Sequence, residues 1–185
     1  MTVGLLLAPG AGAGRDQSAL VAIDNAATAW GAVVERMDFP YRKAGRKAPD
    51  REPILLDAVR SEVAALVARS GGRLALGGRS MGGRICSMVV ASGVPALGLA
   101  LISYPLHPPG RPEKVRTAHF PDLGVPCLFV SGTRDAFGTP AELEAATAAI
   151  PGPVTHVWVE GKDHAMRNAD GAVAAAVVDW LASIA

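Results

Sequence analysis

The pentapeptide Gly78-Arg79-Ser80-Met81-Gly82 sets one serine between two glycines. It follows the apolar run Leu74-Ala75-Leu76 and opens a helical pattern from Met81 to Ala91. A serine on so sharp a strand-to-helix turn has its hydroxyl raised above the sheet, where it can attack an acyl carbon. The Met81 amide would lie at the helix N-terminus, where unpaired N–H groups favour developing negative charge. A serine hydroxyl is a weak nucleophile at neutral pH. It needs a base within hydrogen-bond reach, and that base needs an acid to orient it.

Candidates for both follow later in the chain, in the order acid then base that this kind of nucleophile turn requires. Asp135 ends the stretch Val130-Ser131-Gly132-Thr133-Arg134-Asp135, and His164 ends Val159-Glu160-Gly161-Lys162-Asp163-His164. Each falls on a loop just past an apolar run. Of the four histidines, His107 and His119 lie in a proline-rich excursion and could line a pocket. His156 lies inside a strand pattern. His164 is therefore the expected base and Asp135 the expected orienting acid, with Asp163 and Glu160 as rivals. A second oxyanion donor is expected from Pro9-Gly10-Ala11-Gly12-Ala13-Gly14, whose glycines permit close backbone approach. Ala11 is the preferred donor beside Met81, with Gly12 next. The glycine spacing is not G-x-G-x-x-G, and no Gly-Lys-Ser follows, so a nucleotide-phosphate loop is disfavoured.

These residues need a frame that brings three loops to one edge. Short apolar runs alternate with amphipathic stretches, the pattern of βαβ units and a mainly parallel sheet. Strands are expected at 3–8, 32–39, 73–78, 97–104, 125–131 and 154–160. Helices are expected at 18–30, from the N-cap Asp50 to about residue 70, at 81–91, 140–150 and 172–184. The apolar faces predicted for burial include Leu20, Ile23, Ala27 and Trp30 on the first helix. On the second they are Leu55, Val59, Val63, Leu66 and Val67. Residues 40–49 read as a basic loop, and 105–124 as a connector long enough to suggest a functional role. One domain spanning 1–185 is expected.

Composition narrows the partners. Eighteen basic and 17 acidic residues leave a net charge of +1, so no global charge calls for nucleic acid or an anionic membrane. Cys86 and Cys127 are too few for a disulfide framework and read as buried free thiols. No leader or membrane-length apolar run is visible, which fits a cytoplasmic protein. No cofactor or metal is expected. Arg15, Arg79, Arg84, Arg134 and the basic loop could form a local positive rim that concentrates anionic substrates. Local pairing of these arginines, for example with Asp16, Glu35 or Asp163, is the preferred expectation.

With these pieces assembled, the chain resembles the α/β-hydrolase superfamily over nearly its whole length, closest to its compact, dienelactone-hydrolase-like members. Pro9-Gly10-Ala11-Gly12, Gly77 to Arg84, Tyr104-Pro105-Leu106 and Ser131 to Asp135 also resemble a smaller group that includes testis-expressed protein 30. The resemblance implies a three-layer fold with a minimal six-stranded sheet and no large cap. It departs from dienelactone hydrolases proper in having Ser80 where they usually have cysteine, and Pro9-Gly10 where His-Gly is usual. The function expected is hydrolysis of small carboxylic esters or thioesters through an acyl-enzyme. A non-catalytic interaction module on the same fold is the alternative.

Overall fold

Four strands of this protein are apolar without alternation, which requires cover on both faces. In the computed structural model, which describes residues 2–185, β1 (Gly4–Ala8), β3 (Leu74–Arg79), β4 (Gly98–Ile102) and β5 (Cys127–Gly132) are buried almost throughout. Their flanks, β2 (Val33–Arg36) and β6 (Val154–Val159), are edge strands and only partly buried. All neighbours pair in parallel, in the order β2-β1-β3-β4-β5-β6. The sheet is thus wholly, not merely mostly, parallel.

Side chains alternate between the two faces because strand periodicity is two. Leu6, Leu76, Leu101 and Phe129 enter one core, with α3 (Glu52–Ser70) and α4 (Met81–Ala91). Leu5, Leu7, Ala100, Leu128 and Val130 enter the other, beneath α1 (Ser18–Trp30) and α6 (Asp170–Ile184). A short α2 (Pro40–Lys43) and α5 (Pro140–Thr147) complete the helices. No helix among the described residues is long and apolar enough to cross a membrane.

Several local expectations shift. The second strand ends at Arg36, and the supposed loop after it begins with the helical turn α2, started by Pro40. Asp50 is not an N-cap. Its carboxylate accepts from Arg46 Nη2 at 2.6 Å, and Arg51 takes the cap position ahead of Glu52 and Pro53. Trp30 and Val67 do not join the core; they remain 38% and 39% exposed. Trp30 is the last residue of α1 before the left-handed Gly31, and Val67 lies beside the buried stripe. The final helix starts two residues early, at Asp170, and α5 stops at Thr147. Cys86 and Cys127 are buried and unpaired.

The excursion between β4 and β5 is tightly anchored although it lacks regular structure. Its only helical element is a single 3₁₀ turn, Phe120–Asp122. Tyr104, Phe120 and Phe129 form a mutually tilted aromatic cluster with ring centroids 5.4–6.2 Å apart. Leu106 and Leu123 are buried with them. Residue 119 adds a polar anchor: His119 Nε2 lies 2.8 Å from Ser87 Oγ on α4.

That histidine carries a stability prediction. Burial, reinforced by the Arg84 guanidinium, pulls its pKa down from 6.5 to about 4. The fold favours the neutral ring, so between pH 6.5 and about 4 the unfolded chain binds the extra proton. Stability from this group is therefore full above pH 6.5 and is lost as the pH falls toward 4. With the ring partly exposed, the loss amounts to ~2 kcal/mol. Urea unfolding at pH 7 and pH 4.5 should show a steeper acid loss for the parent than for His119→Gln. Equal losses in the two proteins would contradict this account.

Candidate active site

The strand order reverses direction between β1 and β3: the chain runs outward to β2, then returns to build β3 to β6 on the other side. In open α/β sheets the crevice at such a switch, beyond the carboxyl ends of the strands, is where ligands bind. The loop after β1 and the turn after β3 meet there.

The turn is held by main-chain contact. A Cβ on Gly82 would collide with the carbonyl oxygen of Ala8, and one on Gly78 would strike the same oxygen. Only glycine lets α4 begin this close to the end of β1. Ser80 itself sits at φ 51°, ψ −118°, a conformation that L-residues rarely adopt. Its N–H donates to the Ile102 carbonyl of β4 at 2.8 Å. The strained residue is thereby fixed from the sheet side while its hydroxyl faces the crevice.

The structure brings together the three side chains singled out by motif and order. Ser80 Oγ is 2.9 Å from His164 Nε2, and His164 Nδ1 is 2.8 Å from Asp135 Oδ2. Asp135 is only 3% exposed, and its second oxygen, Oδ1, accepts the Phe137 backbone N–H at 2.8 Å. Phe137 also stacks on the His164 ring, centroids 3.9 Å apart. Both imidazole nitrogens and the ring plane are thus constrained. Arg79 Nη2 donates to the His164 carbonyl, tying the loop after β6 to the turn after β3.

The rivals are occupied elsewhere. Asp163 is exposed and accepts the Ala165 N–H at 3.0 Å. Glu160 accepts from the Thr133 hydroxyl at 3.3 Å. His156 stacks between Phe129 and Trp158 and lies 3.0 Å from Thr147 Oγ1. Neither His107 nor His119 borders the cleft. His107 is buried, with Nδ1 near the Pro108 carbonyl, and His119 lies beneath, on Ser87.

In the loop after β1, the Gly10 N–H donates to Gln17 Oε1, the Gly12 N–H to Tyr41 Oη and the Ala13 N–H to the Gly10 carbonyl. The Ala11 N–H has no partner among the described residues. The same holds for the Met81 N–H, at the first turn of α4. Gly12 is therefore removed as a rival donor, because its N–H is already given to a buried tyrosine. Gly10, Ala11, Ser80, Met81 and His164 all border a cleft of about 490 Å³. Pro105, Phe137 and three arginines, Arg79, Arg84 and Arg116, complete its wall.

Arg116 was not anticipated from the sequence. Of the arginines and lysines proposed for a rim, Arg15 pairs with Glu35 at 3.4 Å, Lys43 with Glu62 at 3.1 Å and Arg46 with Asp50. Arg134 lines a separate polar hollow with Lys162, Asp163 and Arg167. Among the described residues, no cluster of three or more His, Cys, Asp or Glu side chains is arranged to hold a metal ion.

The same architecture recurs in known proteins. Residues 1–182 match the model of a family described as Alpha/beta hydrolase domain. A Xanthomonas campestris pv. campestris protein described as a hydrolase of the alpha/beta superfamily is 23% identical. The match covers 97% of this chain and 98% of that one, with a TM-score of 0.74. An alpha-beta serine hydrolase homologue from Coxiella burnetii is 17% identical over 97% of this chain and 85% of its own, at a TM-score of 0.79. A monoacylglycerol lipase from Paleococcus ferrophilus is 15% identical over 98% and 95%, at 0.76. These likenesses establish a shared fold, and the family match spans nearly the whole chain: the protein belongs to the alpha/beta hydrolase domain family.

Proposed function

We propose that this protein is a serine hydrolase of small carboxylic esters or thioesters that works through an acyl-enzyme. The observation that carries the reading is the unbroken chain from Ser80 Oγ through His164 to the buried Asp135 carboxylate, at 2.9 Å and 2.8 Å, opening on a cleft at the strand switch. In this reading Ser80 is the nucleophile, His164 the general base and Asp135 its orienting acid. The Ala11 and Met81 N–H groups form the oxyanion hole.

The steps follow from these roles. Asp135 accepts the Nδ1–H of His164, which leaves Nε2 free to accept the Ser80 proton. Ser80 Oγ attacks the acyl carbon and the carbonyl electron pair moves onto its oxygen. The two unpartnered amides donate to that oxyanion, each worth about 3 kcal/mol of barrier. Collapse breaks the bond to the alcohol or thiol, which leaves with the proton from His164 Nε2. Water then repeats the sequence on the acyl-serine, giving the acid and restoring Ser80.

Within the family, we place the protein among the small dienelactone-hydrolase-like members. This rests on the excursion between β4 and β5, which carries one 3₁₀ turn and no inserted helical cap. Its two buried free thiols fit the reducing cytoplasm.

A fluorophosphonate probe tests the reading directly. It should label the parent stoichiometrically, with the modified peptide carrying Ser80. Absence of labelling in folded protein would instead favour an interaction module.

A further inference from the structure

The cleft wall holds three arginines and no carboxylate, although the whole chain is nearly neutral. Two of the three have other duties. Arg79 donates to the His164 carbonyl, and the charges of Asp135, Asp163 and Asp170 lie close enough to act on it. Arg84 donates through Nη2 to Glu52 at 2.8 Å, while its buried Nε–H has no partner among the described residues. Arg116 is different. Its side chain makes no ion pair and no hydrogen bond with any described residue.

Yet Arg116 is not a loose surface residue. Its carbonyl accepts from Tyr104 Oη at 2.7 Å, and its N–H donates to the Leu106 carbonyl at 2.8 Å. Both partners are buried. Burial lowers the basicity of its guanidinium, and the neighbouring positive charge of Arg84 adds to this. A partly desolvated cation beside a like charge is costly unless an anion completes it. A backbone fixed at both N–H and carbonyl keeps that cost in place at the mouth of the site.

We propose that the acyl substrate carries a second, oxyanionic group, a carboxylate or a phosphate, read by the unpaired Arg116 guanidinium on the cleft wall. This specifies the substrate class of the hydrolase reading above and rests on it. A planar guanidinium presents paired donors that match either oxyanion. Ester cleavage itself is unchanged; the anion supplies orientation and binding.

The test compares three esters of para-nitrophenol at low ionic strength: the hemisuccinate, the neutral levulinate isostere and the phosphonopropanoate. The parent should favour one of the anionic esters over levulinate in kcat/KM, by about tenfold or more, and the excess should shrink with added salt. Whichever anion is favoured identifies the group. In Arg116→Gln the anion-to-neutral ratio should fall about tenfold, and Arg116→Lys should recover part of it. No preference in the parent, or a full preference kept by Arg116→Gln, overturns the proposal. Calorimetric titration of succinate and of methylphosphonate into Ser80→Ala protein, with and without Arg116→Gln, reads the anion site without turnover. Arg116-dependent binding supports the site even if every ester resists hydrolysis, in which case the hydrolase reading alone fails. No binding of either anion counts against the site even if levulinate is cleaved.

Discussion

Ser80→Ala should lower ester turnover by roughly four to six orders of magnitude while leaving the protein folded. In the proposed mechanism the loss is large because nucleophile and base act as one unit: without the hydroxyl, His164 has no proton to take from a bound attacking group. Residual rate then comes only from substrate binding and the two oxyanion amides. The fold should survive, because alanine keeps the Cβ that already tolerates φ 51° at this position, and the hydroxyl fills no core space. One hydrogen bond, to His164 Nε2, is removed. Steady-state hydrolysis of a para-nitrophenyl ester gives the rate, and circular dichroism with a thermal melt checks folding. Turnover within tenfold of the parent would remove Ser80 from the mechanism.

Asp135→Asn should cost about four orders of magnitude in kcat, for a reason particular to this site. Asp135 uses both oxygens: Oδ1 accepts from Phe137 N–H and Oδ2 faces His164 Nδ1. Asparagine has one oxygen and one amino group. The Phe137 amide can only donate, so the side chain must present its oxygen there, which turns the amino group toward Nδ1. Nδ1 then becomes an acceptor and Nε2 carries the hydrogen. In that tautomer the ring cannot take the Ser80 proton. The nitrogen chemical shifts of His164 should report the switch, alongside the fall in kcat. An asparagine variant of near-parent activity, or one whose His164 keeps its hydrogen on Nδ1, would contradict this account.

How much of the site could be read from the sequence varies with its kind of determinant. Ser80, Asp135 and His164 each lie at a fixed place relative to a strand end, so apolar runs and punctuating glycines locate them without three-dimensional information. The Ala11 amide was preferred on loop position; what separates it from Gly12 is Tyr41, 29 residues away, whose hydroxyl takes the Gly12 N–H. Arg116 gave no signal. It sits in a proline-rich connector without periodicity, and its relation to the cleft depends on a tyrosine and a leucine that fold back over it. The basic loop is the opposite case: its charges are conspicuous in sequence, but Lys43 and Arg46 find carboxylates nearby, Glu62 and Asp50. Composition shows where charge is plentiful, whereas only the fold shows which charge lacks a partner.

The contact between Gly82 and the end of β1 separates two kinds of change the protein can undergo. The end of β1 and the start of α4 are spaced by main chain against main chain, at Ala8, Gly78 and Gly82, and the Ala11 loop is held by Gln17 and Tyr41, none of which belongs to the excursion. Substitutions in the excursion at 103–126 can therefore alter the wall that carries Pro105 and Arg116 without disturbing that spacing. Grafting excursions of different sequence onto this frame, with Tyr104, Phe120 and Leu123 retained as anchors, is accordingly a way to vary the cleft wall while the backbone around Ser80 stays unaltered.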